Sequence, residues 1–193
     1  MKLNLRHVTI FLILLALSVG FGFGFDAVCT AVERHNHPRP TTLAASVESN
    51  AAEFGIPESI LWATVKTGSD FASNAISPTG EIGLMQLTPT QFNFICTTLL
   101  EGAPLDAGLL YEPETNLRAG SAWLSYLYGK YGVWEHVFVA YHLGTEATDA
   151  WLADPAHVNA RGELLEFPTR AAEQYAKDTA RAVEFYNQLY YQA

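Results

Sequence analysis

One irregular stretch constrains this chain more than any other: Ser77-Pro78-Thr79-Gly80-Glu81-Ile82-Gly83-Leu84-Met85-Gln86-Leu87-Thr88-Pro89. Pro78, Gly80 and Gly83 break helix and suit a turn or short hairpin. Thr88-Pro89 then supplies a cap and a first-turn proline, so a helix restarts there. The segments on both sides carry helical periodicity. Thr41 to Phe54 sets Leu43, Val47, Ala51 and Phe54 along one stripe, and Gly55 ends it. Pro57 opens a second helix running to about Thr67, with Leu61, Thr64, Val65 and Gly68 on one face. Past the irregular stretch, Phe92, Ile95, Cys96 and Leu99 mark another helix. Glu112-Pro113-Glu114 opens a long one through Leu117, Trp123, Leu124, Leu127 and Tyr128, with acidic groups at its positive end. Helices over Trp134 to Leu143, Thr145 to Ala153 and about Thr169 to Tyr190 complete the chain. The expected class is α+β, predominantly α, with one small β element set among helices.

The chain has 193 residues, 49% of them apolar, which suits one globular domain with a core plus an appendage. Acidic residues outnumber basic ones, 20 to 11, for a net charge of −9. That balance excludes a nucleic-acid partner, which needs clustered Lys and Arg, and suits a neutral or zwitterionic polymer. Cys29 and Cys96 are not expected to pair. No Cys-x-x-Cys or His-x-x-x-His spacing points to a metal, and no cofactor is expected. His35 and His37 fall in a Pro-bearing stretch and are expected to be solvated.

Val8 to Phe25 is an uncharged run of 18 residues behind Lys2, Arg6 and His7. Its length just spans a bilayer, and the positive flank would stay in the cytoplasm. Residues 1–31 are therefore expected to form a signal-anchor or signal peptide, retained in preference to cleaved. Residues 32–41 are expected to be a polar linker, and residues 42–193 a domain outside the cytoplasm.

The stretch Ser77-Pro78-x-Gly80 followed by Gly83-Leu84-Met85-Gln86-Leu87-x-Pro89 resembles the signature loop of the soluble-lytic-transglycosylase (SLT) family, which cleaves the glycan strands of bacterial peptidoglycan. Three further landmarks recur in the family's order. They are Pro113-x-x-Asn116-Leu117-x-x-Gly120 with Trp123-Leu124, then Ala140-Tyr141-His142-Leu143-Gly144, then Phe167-Pro168 with Tyr175. Together they cover roughly residues 45 to 190, and the resemblance implies a lysozyme-like fold. It also implies peptidoglycan glycan strands as ligand. The apolar N-terminal run makes the cytoplasmic membrane a neighbour, and a non-catalytic scaffold that docks envelope protein partners is the alternative role.

The departures from the family pattern cluster where its chemistry lies. The family's Lys-x-Glu-Ser-x-Phe reads Lys66-Thr67-Gly68-Ser69-Asp70-Phe71 here, so the position of the catalytic glutamate holds Gly68. The family's Asn is His142, the second Met of its loop is Thr88, and its closing glutamate is Ala171 if Tyr175 keeps register. The resemblance implies that one glutamic acid protonates the glycosidic oxygen and then, as base, draws the proton from the muramic acid 6-hydroxyl to close a 1,6-anhydro ring. Glycine can do neither. A local account also exists, in which Gly68 is a left-handed C-cap ending its helix. Glu81, ahead of Asp70 and Glu173, is the candidate substitute acid. If the loop is extended, though, Gln86 and Thr88 share one face and Glu81 has the opposite parity. Gln86 is the foremost candidate glycan contact, because an amide both donates to and accepts from sugar groups. Ser69, Tyr141, His142 and Tyr175 are the remaining substrate-binding candidates.

Overall fold

The computed structural model describes residues 25 and 27–191, which fall into two compact units, residues 1–38 and 39–193. The apolar run ahead of Phe25 lies outside the described residues, and among those described no helix is long and apolar enough to cross a membrane. In the first unit, residues 27–36 are helical, and His37 N–H donates to the Glu33 carbonyl at 2.8 Å. The stretch 32–41 is thus not wholly a spacer. Residues 32–36 contain no helix breaker, and the prolines that stop a helix come only at 38 and 40.

The second unit holds α1 (Thr41–Phe54), α2 (Glu58–Ser69), α3 (Pro89–Phe94), α4 (Pro113–Tyr131), α5 (Trp134–Leu143), α6 (Thr145–Leu152) and α7 (Arg170–Tyr186). A π-helical turn, Ile95–Leu99, continues α3, and a 3-10 turn, Ala107–Tyr111, precedes α4. The helix boundaries follow local chemistry. Gly55 closes α1 at φ 65, and Thr88 caps α3 through a reciprocal pair with Gln91. Pro113 sits in the first turn of α4, and Gly132 closes it at φ 69.

The expected β element does not form a strand. Among the described residues there are only isolated antiparallel bridges, Ile76 with Ile82, Ile82 with Leu87, and Val158 with Leu164. The first two share Ile82. Between them Gly80 at φ 92 and Gly83 at φ 82 reverse the chain every few residues, so no ladder can extend. The class is accordingly mostly helical, not α+β.

Helix α2 packs on α7, α7 on α5, α5 on α4 and α4 on α1. Trp62 of α2 is fully buried, with its ring 6.4 Å from that of Tyr186 in α7. Leu84, Met85 and Leu87 carry the irregular loop into the same core. Burial of each such side chain stabilises the fold by roughly 1.5–3 kcal/mol.

The loop is pinned from one side by Asn116 of α4, which is fully buried. Its amide nitrogen donates to the carbonyls of Ile82 (2.9 Å) and Leu110 (2.8 Å), and its oxygen accepts Met85 N–H at 2.8 Å. Two glycines permit this approach. A Cβ on Gly83 would stand 2.2 Å from Asn116 Nδ2, and one on Gly120 would stand 2.3 Å from Met85 Sδ. From the other side Tyr141 of α5 donates its hydroxyl to the Met85 carbonyl at 2.7 Å.

Candidate functional site

The pinned loop, the C-terminal end of α2, and parts of α5 and α7 enclose a cavity of about 550 Å³. Gly68, Gln86, Tyr141, His142 and Tyr175 all line it, and so does Glu81. Residues up to 107 positions apart (68 to 175) are thus brought to one place. Ser69, Asp70 and Glu173 do not line it.

Gly68 is not the helix cap that a local account requires. α2 continues through Ser69, and the left-handed cap is Asp70 at φ 49. The Asp70 carboxylate turns out of the site to pair with Lys66. A Cβ on Gly68 would meet Gln86 Cγ at 3.4 Å and the Leu84 carbonyl at 3.6 Å, ordinary van der Waals contacts. Neither backbone conformation nor packing therefore demands glycine at this position. Ser69 instead ties α2 to the loop, donating its hydroxyl to the Leu84 carbonyl at 2.7 Å.

Gln86 sits at φ 50, a conformation that costs a non-glycine residue about 1–2 kcal/mol. Its amide nitrogen donates to the carbonyls of Gly83 (2.8 Å) and Ala75 (3.3 Å). Two carbonyl partners fix the orientation of the amide, and among the described residues no donor reaches its side-chain oxygen. The loop therefore holds Gln86 in a strained, oriented state with one acceptor free.

The parity argument against Glu81 fails. Gly83 and Gln86, both at positive φ, turn the chain between them, so Glu81, Gln86 and Thr88 line the same cavity. Among the described residues Glu81 is the only acidic one lining it. Its carboxylate accepts from the hydroxyls of Ser77 and Thr79.

Tyr141, Tyr175 and His142 form a ring stack along one wall. The Tyr141 and Tyr175 rings are 6.2 Å apart and 8° from parallel, and Tyr175 lies 5.1 Å from His142. Burial pushes the Tyr141 phenol well up, with neighbouring Tyr175 adding to the shift, and burial likewise raises Tyr175. Both phenols stay protonated and act as hydrogen-bonding and stacking groups. Because the Tyr141 hydroxyl is committed to Met85, its contribution to a ligand is the ring face.

Several lining residues are not among the site candidates that the sequence offers. Thr67, Ser77, Thr79, Thr90 and Gln91 give the walls neutral hydroxyls and an amide. Asn116 was read only as a landmark, although its place in the first turn of a helix with an apolar stripe was a signal for a buried amide. Among the described residues no group of three or more His, Cys, Asp or Glu could hold a metal ion.

A family model, the Transglycosylase SLT domain, matches residues 45–162. The soluble lytic murein transglycosylase of Escherichia coli strain K12 is 27% identical over 134 residues, which cover 68% of this chain and 21% of that protein. The membrane-bound lytic murein transglycosylase C of Yersinia pestis (strain Pestoides F) is 31% identical over 101 residues, 52% of this chain and 28% of the relative. Among solved structures, an inactive variant of the lytic transglycosylase Slt from Pseudomonas aeruginosa superposes with a TM-score of 0.69 at 26% identity. The match covers 77% of this chain and 24% of that one. The chain therefore spans only about a quarter of the length of these relatives.

Proposed function

The chain belongs to the transglycosylase SLT domain family, and from that membership we propose that it binds the glycan strands of bacterial peptidoglycan outside the cytoplasm with its acid–base chemistry disabled. The observation that carries this reading is Gly68. It lines the cavity beside Gln86, in a helix that neither requires a glycine there nor lacks space for a side chain.

The chemistry supports the same conclusion. Breaking a glycosidic bond requires a proton on the leaving oxygen. A carboxyl group at the C-terminal end of α2 would face the negative end of the helix dipole and partial burial, both of which favour its protonated form. Glycine at that position removes the group and leaves the remaining contacts in place. In the Pseudomonas relative, one glutamate-to-glutamine exchange goes with inactivity.

For binding, the cavity offers the free Gln86 oxygen, the hydroxyl-rich walls and the ring wall of Tyr141, Tyr175 and His142. Ser69 acts in this reading by fixing α2 to the loop, not by touching the glycan. The test is retention of the protein on purified sacculi. Enrichment well above an unrelated domain of similar charge is expected, and no enrichment ends the proposal.

A second reading has one specific support: among the described residues Glu81 is the sole carboxylate in the cavity. In that case the protein remains a lytic transglycosylase with a displaced acid. Digestion of sacculi would then yield 1,6-anhydromuropeptides that disappear in Glu81→Gln.

A further inference from the structure

Half of the Glu81 carboxylate is unused. Ser77 Oγ and Thr79 Oγ1 (2.5 Å) both donate to Oε2, and no donor among the described residues reaches Oε1. No Lys, Arg or His among those residues pairs with it. The group is also held in place before any ligand arrives. Ser77 N–H donates to the Glu81 carbonyl at 2.9 Å, Glu81 N–H donates to Ser77 Oγ at 3.1 Å, and Gly80 at φ 92 closes the turn. The cavity thus presents one fixed negative charge among hydroxyls, amides and rings.

A lone carboxylate with no second acidic ligand is a poor seat for a divalent cation. It is a good seat for an ammonium group, which brings three donors and the opposite charge. An acetamido group brings one N–H and a carbonyl oxygen that the carboxylate repels. Resting on the glycan-binding reading above, we propose that Glu81 is a specificity-determining residue. Through it the cavity selects glycans in which an amino sugar carries a free amine in place of the N-acetyl group.

The test is titration of the full chain with the tetramer of glucosamine and the tetramer of N-acetylglucosamine, in mildly acidic buffer of low ionic strength, where the amines are protonated. The free-amine tetramer is expected to bind about fivefold tighter, the upper end for an ion pair reached by solvent. Added salt should shrink that preference, and Glu81→Gln should abolish it. Equal affinities in the unaltered protein, or a preference that survives Glu81→Gln, overturn this inference and leave the glycan reading standing. If neither tetramer binds and sacculi do not retain the protein, both fall. Should Glu81→Gln not fold, Glu81→Ser is read against the same two tetramers with the same deciding outcomes.

Discussion

Gly68 and Gln86 meet where α2 reaches the irregular loop: a Cβ on Gly68 would lie 3.4 Å from Gln86 Cγ, touching it without overlap. The space is that of a side chain, and the helix around it is regular through Ser69.

Gly68→Ala is therefore expected to stabilise the protein. Glycine inside a helix costs roughly 0.5–1 kcal/mol relative to alanine. The midpoint of thermal unfolding should rise by about 1–4 °C. A fall of similar size would mean that Gln86 cannot tolerate a methyl group beside it.

Gly68→Glu is expected to confer or raise cleavage of sacculi, read as 1,6-anhydromuropeptides by mass spectrometry. Positioned acid–base catalysis typically contributes ~10²–10⁴ in rate. An unaltered protein that cleaves as fast as this variant would refute the vacancy at residue 68.

Asn116→Ala removes its three bonds, two of them to the loop, and strands the Leu110 carbonyl and the Met85 N–H, while the Ile82 carbonyl keeps the Leu87 N–H at 3.2 Å. Buried groups left unpaired cost about 1–3 kcal/mol each. A loss of about 3–5 kcal/mol in urea denaturation is expected, together with weaker retention on sacculi. A loss under 1 kcal/mol would show that the Tyr141 and Ser69 bonds hold the loop without Asn116.

Gly120→Ala drives a methyl group against Met85, whose Sδ would lie 2.3 Å away. Overpacking of this kind costs about 1–3 kcal/mol. Combination with Met85→Ala should recover part of it, so a double-mutant cycle is expected to show a favourable coupling. Strict additivity would contradict the contact.

His136 of α5 is buried, and its Nε2 has no hydrogen-bond partner. Burial lowers its pKa, with Glu135 and a Gly162 backbone interaction opposing the shift. A lowered folded-state value means that the unfolded chain binds the proton more readily. This contribution to stability is thus complete above the ordinary histidine value of about 6.5 and is lost as pH falls through the folded value. Unfolding curves at neutral and at mildly acidic pH should show the decline. His136→Phe should flatten it, and an unchanged slope in that variant would place the titration elsewhere.

Much of the helical framework was legible in the order of residues. Thr88 with Gln91, Pro113, Gly55 and Gly132 announce helix ends because caps are satisfied by neighbours within about four residues. The β element was misjudged for a related reason. Turn residues reveal that the chain reverses but not whether successive pairs line up into a ladder, and here two glycine turns leave single bridges. The alternative of Gly68 as a cap stays open in the sequence because Gly68 and Asp70 both lie at the end of the same helix. Which of them takes the left-handed state depends on what packs around them.

By itself the sequence determined the helices, their apolar stripes and the family to which they belong, since those depend on spacing along the chain. Tertiary structure alone decided that Glu81 and Gln86 share a cavity with Tyr141 and Tyr175, that Gly68 faces it with space to spare, and that Ser69 is spent on the loop. Those outcomes follow from how Asn116, Gly83 and Gly120 let α4 approach the loop. Such contacts form between segments remote in sequence, and no local periodicity encodes them.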